Sequence, residues 1–298
     1  MNLTFTPLHP VIGAECAGMD IGAAMTPAQA GAIHAAMNQY AVLVFRRDKP
    51  LTTEQQLAFT AALGEMEKPY TKINSDVGAR LDDHRLSDIS NLSPANQILE
   101  REDRKRLHQL GNRLWHSDSS YKRIPARYSA LSAHVIPPEG GNTEFADMRA
   151  AWDALDTAMQ KTLTGLKTEH SRIFSKGTMG VQYTEQEIRD FAPIQQPLVR
   201  VHPHSGRKSL FLSSHAGRIV GWPVPEALMM LKDLTEHATQ REFVYSHQWR
   251  VGDLVMWDNG ATMHRGRIYD DLKYARDMRR TTLTYGAPAM AAMAAIAA

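Results

Sequence analysis

The stretch GDLVMWDNGATMHRG, Gly252 to Gly266, decides the fold: an apolar run, Leu254 to Trp257, stops at the turn formers Asp258, Asn259 and Gly260, and a short return leads to His264. A brief apolar run bounded by such residues reads as a buried strand ending in a tight turn. Its neighbours have the same grain, REFVYSHQW (241–249) before it and MRRTTLTYG (278–286) after it. Short strands joined by Gly and Asp turns, with few helices alternating between them, favour an antiparallel barrel or jelly roll over a doubly wound parallel sheet.

Working outward, helices flank this strand-rich third, so the expected class is mainly β with flanking helices. TPAQAGAIHAAMNQY (26–40) opens with Thr26 as cap and Pro27 at the first helical position, AVLVFR (41–46) reads as a buried strand, and LTTEQQLAFTAALG (51–64) reads as a second helix. YSALSAHVIPP (128–138) and NTEFAD (142–147) read as strands about the turn PPEGG. MRAAWDALDTAMQKTLTGL (148–166) is expected as one helix, and VPEALMMLKDLTEHATQ (224–240) as another opened by Pro225. From about 68 to 111 the pattern loosens into polar and charged residues, which suggests a lid or long excursion over a site.

Composition excludes several classes. The 298 residues carry 34 basic and 32 acidic side chains, a net charge of +2, too small an excess to neutralise a nucleic acid backbone. Cys16 is the only cysteine, so neither an intramolecular disulfide framework nor a thiolate zinc cluster can form within one chain. The N-terminal residues lack a signal-peptide pattern and no run of 18 apolar residues is present, so the expected setting is cytoplasmic, away from a membrane. The tail GAPAMAAMAAIAA (286–298) is expected to fray or to pack at an interface. No glycine-rich phosphate loop, Gly-x-Ser-x-Gly elbow or His-Glu-x-x-His occurs.

What remains is a metal-site pattern. In WHSD, Trp115 to Asp118, an extended backbone places His116 and Asp118 on one face. With His264 they make two imidazoles and a carboxylate, the facial triad of non-haem Fe(II) oxygenases; on ligand type alone zinc also fits. In ARDMRRTTLTYG (275–286), Arg276, Met278, Arg280 and Thr282 share a strand face, and Arg276 to Arg280 spans about 13 Å of strand. Turned inward, these arginines need two carboxylate-sized anions, or one anion and one internal Asp/Glu partner; on an edge strand they would simply be wetted. His134, His202 and His204 read as packing or surface histidines.

Taken together, WHSD, Thr143 in GGNTEF, the WDN…H spacing and the paired arginines resemble the taurine dioxygenase/TfdA family of Fe(II)/2-oxoglutarate dioxygenases, and within it the 2,4-dichlorophenoxyacetate dioxygenase branch. The similarity runs over nearly the whole chain. It implies one domain over residues 1–298 folded as a double-stranded β-helix, a distorted jelly roll. It implies His116, Asp118 and His264 as ligands of Fe(II), with 2-oxoglutarate and O2 as co-substrates. Thr143, Trp257 and Arg276 then match positions that hold 2-oxoglutarate, and Arg280 the position for the anionic group of the prime substrate; Asn112, Lys72 and His215 fall near that substrate pocket. The implied reaction hydroxylates the ether-adjacent carbon of an aryloxyalkanoate, a small anionic aromatic acid, to give a phenol and a 2-oxo acid with succinate and CO2. The same chemistry on a sulfonate or alkyl sulfate is the alternative, and a jelly roll that binds a metal without turnover is a more remote one. Family members are commonly homo-oligomers. One departure is Gly260, directly after WDN, where relatives often carry arginine.

Overall fold

The computed structural model describes residues 3–67 and 80–286. Strands β1 (Thr4–Pro7) and β2 (Ala14–Ala17) form an antiparallel pair ahead of α1 (Pro27–Tyr40). Helix α1 begins as expected: the Gln29 amide donates to the Thr26 hydroxyl, the Thr26 amide donates back to the Gln29 side chain, and Pro27 follows the cap. Then come β3 (Val42–Phe45), α2 (Thr53–Ala61), β4 (Ser87–Ser90), α3 (Arg104–Leu110), β5 (Ala126–Val135) and β6 (Thr143–Asp147).

The stretch expected as one helix over 148–166 is two, α4 (Met148–Asp153) and α5 (Thr157–Leu163). Asp156 breaks it, because its carboxylate accepts from the Met159 amide and so starts a new helix from an extended residue. The chain continues through β7 (Lys167–His170), α6 (Arg172–Gly177), α7 (Glu185–Asp190), β8 (Ile194–Pro197), β9 (Val199–Val201), β10 (Lys208–Leu210) and β11 (Ala216–Ile219). It ends in α8 (Val224–Ala238), β12 (Val244–His247), β13 (Leu254–Asp258), β14 (Thr262–Gly266) and β15 (Asp277–Thr284).

Seven strands form the larger sheet in the order β1-β2-β3-β13-β5-β15-β4, and three form a smaller one in the order β12-β6-β14. Among the described strands only β2 and β3 pair in parallel. Period-two alternation sorts the larger sheet's side chains onto two buried faces. Leu43, Phe45, Tyr128, Ala130, Leu254 and Met256 pack with Ile33 and Met37 of α1 and Phe59 of α2. Val42, Val44, Leu131, Ala133, Val255 and Trp257 point the other way and meet Phe145 of β6. The Phe145 and Trp257 ring centroids are 5.4 Å apart, which fixes the gap between the sheets. The same alternation on β14 sends Met263 outward to the α4 and α8 cluster and His264 inward beside Trp257.

Residues 68–79 of the expected lid, and 287–298 of the tail, lie outside the described residues. The rest of the 68–111 segment is tied to the larger sheet: β4 pairs with β15, and the buried Arg80 guanidinium donates to both Asp88 and Asp277. Among the described residues no helix is long and apolar enough to cross a membrane.

Candidate active site

His116 lies in no named strand, yet its backbone pairs with that of His264: each amide donates to the other's carbonyl, at 3.0 and 2.8 Å. This isolated bridge sets the two imidazoles side by side, ring centroids 4.1 Å apart. Asp118, on the same face as His116, reaches both. Its carboxylate oxygens lie 3.9 Å from His116 Nε2 and 3.7 Å from His264 Nε2, and all three residues are buried. One ligand atom from each falls within 4.8 Å of the others.

Three further contacts hold Asp118. Its amide donates to Asn259 Oδ1 (3.0 Å), Ser129 Oγ donates to its Oδ2 (2.7 Å), and Arg280 donates to its Oδ1. Asn259 completes the ring by donating to Ser129 Oγ and accepting from Trp257 Nε1. Sequence reading assigned Trp257 of WDN a role but missed Asn259 and Ser129, although Asn259 stands in the quoted motif. Asp258, the middle residue, turns away to pair with His202 (2.9 Å) and to accept from the Gly260 amide. Gly260 has a structural reason of its own, since a Cβ there would overlap the Tyr285 hydroxyl.

Burial opposes the Asp118 charge, but Arg280 above all, with the Ser129 hydroxyl helping, outweighs it and holds the carboxyl well below the usual carboxylate range. Burial drives both His116 and His264 down, His264 further because His116 adds to the effect. The result is two neutral imidazoles and one carboxylate, the protonation states a divalent cation requires of its ligands. The donor set, its burial and its convergence therefore fit Fe(II).

The cavity beside the triad, about 360 Å³ including its open mouth, is lined by His116, His264, Thr143, Trp257, Arg276, Arg280, Asn112, Ile89, Leu131 and Gly266. The two arginines differ in a telling way. Both leave Nε without a partner, but Arg280 has an internal carboxylate partner, whereas the guanidinium of Arg276, 9% exposed, donates among the described residues only to the Gly141 carbonyl (3.3 Å). Burial lowers the Arg276 pKa. A buried guanidinium with no carboxylate partner among the described residues is costly until an anion meets it. Asn91 anchors this segment, accepting from the Arg276 amide and donating to the Asp271 and Tyr274 carbonyls.

Of the other expected residues, Thr143 accepts from Trp249 Nε1 (3.0 Å) and Asn112 donates to Gln109 Oε1. His215 does not line the cavity; it stands behind His116, ring centroids 6.4 Å apart, and is held by Ser175. Lys72 lies outside the described residues. Of the histidines set aside, His202 pairs with Asp258 and His134 with Ser132.

A jelly roll with a buried His-Asp-His triad and an anion-seeking arginine beside it defines an Fe(II)/2-oxoglutarate dioxygenase. The chain belongs to the taurine catabolism dioxygenase TauD, TfdA family, which matches residues 4–282. It is 45% identical over 283 residues to the alpha-ketoglutarate-dependent 2,4-dichlorophenoxyacetate dioxygenase of Cupriavidus pinatubonensis, covering 95% of this chain and 98% of that one. It is 34% identical to the (S)-phenoxypropionate/alpha-ketoglutarate-dioxygenase of Sphingobium herbicidovorans, covering 89% of each. Among solved structures, AAD-2 in complex with Mn(II) and N-oxalylglycine superposes with a TM-score of 0.92 at 47% identity, covering 96% of this chain and 99% of that one. The fold is thus that of the double-stranded β-helix superfamily.

Proposed function

We propose that this dioxygenase acts on an aryloxyacetate such as 2,4-dichlorophenoxyacetate and hydroxylates the carbon between the ether oxygen and the carboxylate. The observation that carries the reading is the pair of arginines lining one cavity beside the triad, one seeking an anion and one already on Asp118. Relatives named for phenoxy acids, matched along nearly their whole length, support it.

In this reading Arg276 grips the distal carboxylate of 2-oxoglutarate, which its planar fork can meet with two parallel hydrogen bonds. Thr143 and Trp257 bound the same co-substrate. Arg280 turns part of its guanidinium from Asp118 to the substrate carboxylate, with Asn112 on that side. Ile89 and Leu131 are apolar lining that excludes water and suits an aromatic ring. Iron(II), 2-oxoglutarate and dioxygen supply the oxidant, with succinate and CO2 as by-products. The hydroxylated product is a hemiacetal, which breaks at the ether bond to a phenol and glyoxylate. The protein's own contribution is orientation, where a misplacement of about 1 Å can cost about 100-fold in rate. One catalytic domain, assembly as a homo-oligomer and a cytoplasmic setting complete the proposal.

Succinate release measured over phenoxyacetate, the 2-phenoxypropionate enantiomers and taurine, together with phenol detection, tests it. Phenol formed one for one with succinate from phenoxyacetate is expected. Succinate release driven by taurine alone would refute the aryloxyacetate reading while keeping the reaction class.

A further inference from the structure

Lys176, at the end of α6, is largely buried, yet its ammonium has a single partner among the described residues, the His108 carbonyl at 2.6 Å. Buried lysines are rare unless paired with an acid. None pairs with it among the described residues, and there the charges that act on it are cations, Arg172 and Arg280. Arg172 is itself turned to aromatic rings, 5.4 Å from the Phe191 centroid and 5.9 Å from that of Tyr121. Arg280 is itself paired with Asp118, which also faces both ligand histidines. Iron would add further positive charge, so among the described residues this cluster is short of anions.

The local backbone makes room for the lysine. Gly111 has ordinary helical angles, φ −60° and ψ −23°, so no strain demands glycine there. A Cβ at Gly111 would instead overlap the Lys176 ammonium. Gly111 immediately precedes Asn112, which lines the cavity, and His116 and His215 both lie within electrostatic reach of Lys176. Burial, with the two arginines adding, lowers the ammonium to about 8, so an anion beside it would also hold it charged.

We propose that Lys176, seated in the notch at Gly111, is a second anchor, with Arg280, for the carboxylate of the prime substrate. Arg280 then need not abandon Asp118, because the substrate carboxylate bridges the guanidinium and an ammonium swung from the His108 carbonyl on its four-carbon stem. The proposal rests on the aryloxyacetate reading above and names the residue that selects for charge within it.

Calorimetric titration of the Mn(II)- and 2-oxoglutarate-loaded protein with phenoxyacetate and with the neutral phenoxyacetamide tests this directly. Lys176→Met is expected to weaken phenoxyacetate roughly 10- to 100-fold, the loss of one charge-assisted hydrogen bond, and to leave phenoxyacetamide within about twofold. Lys176→Arg should retain most of the phenoxyacetate affinity. Lys176→Gln, which keeps a polar side chain without the charge, should reproduce the selective loss, and it carries the test if Lys176→Met fails to fold. Equal weakening of both ligands would mean that Lys176 merely supports the end of α3, and unchanged phenoxyacetate affinity in folded Lys176→Met or Lys176→Gln would also overturn the proposal. Should the unsubstituted protein bind no phenoxyacetate, the substrate reading itself falls and takes this inference with it.

Discussion

A backbone carbonyl decides which nitrogen of His116 is offered to a metal. Leu114 O can only accept, so at 2.7 Å it requires the proton on Nδ1 and leaves the Nε2 lone pair facing Asp118. In the proposed function Arg276 is the complementary case, a donor that awaits the co-substrate as its partner. Replacing it by lysine keeps the charge but removes the planar fork, so the apparent Kd for 2-oxoglutarate should rise roughly 10- to 100-fold. Titration of the Mn(II)-loaded protein measures this, and an unchanged affinity would remove Arg276 from its role. At this scale the sequence was informative wherever chemistry repeats locally: His116 and Asp118 two residues apart, Arg276 and Arg280 four apart. It was silent on Asn259 and Ser129, whose function exists only because residues some 130 positions apart meet. The internal Asp/Glu partner that the strand reading allowed for one arginine is present, although spacing could not say that it is Arg280 that meets Asp118.

Among the elements, β4 shows why the polar stretch 68–111 resists reading from sequence. Its four residues, Ser-Asp-Ile-Ser, carry a weak strand pattern, and what places them is an ion cluster drawn from four segments. Arg80 donates to Asp88 on β4 and to Asp277 on β15, and Lys105 of α3 also reaches Asp88 (2.8 Å). Both carboxylates are held below their ordinary pKa: burial works against this, and the bonds from Arg80 prevail, with Lys105 and Arg279 helping. Carboxylates depressed in the folded state contribute stability that is present above about pH 4, their unfolded value, and lost as pH falls through the folded value. Arg80→Met leaves the two charges facing each other without a cation between them. We expect it to lower stability at pH 7 by about 3 kcal/mol, and the gap from the unsubstituted protein to narrow as pH falls from 7 towards 3, where protonation relieves the repulsion. Thermal unfolding across that range checks both. A gap that stays constant with pH would show that packing, not charge, is what Arg80 supplies. The split of α4 from α5 has a similar lesson. The apolar spacing continued across Asp156, and only the side chain's preference for capping an amide ended the helix.

For the molecule as a whole, alternation was the legible part: strands whose every residue is buried, as in β3 and β13, require cover on both faces, and α1, α2 and the smaller sheet provide it. How the two sheets are joined at the site was not legible, because the join is one isolated pair of hydrogen bonds, His116 to His264. The triad therefore spans β14 in the smaller sheet and the segment leading into β5 of the larger one, and Arg276 closes the cavity from the approach to β15. Ligands bound there bridge elements that unfolding would separate, and they bind the folded state alone, so they must stabilise it by mass action. At a ligand concentration about 100 times Kd the gain is about 2.7 kcal/mol, which for a chain this long corresponds to a rise in Tm of roughly 4 °C. Mn(II) is expected to give such an increment and 2-oxoglutarate a second one that depends on the first. Asp118→Ala should show neither, although its own Tm is already lower with Arg280 left unpaired, while Arg276→Lys should keep the metal increment and lose most of the second. A full 2-oxoglutarate increment in Asp118→Ala would mean that the co-substrate binds without the metal, which is incompatible with a cavity organised around the triad.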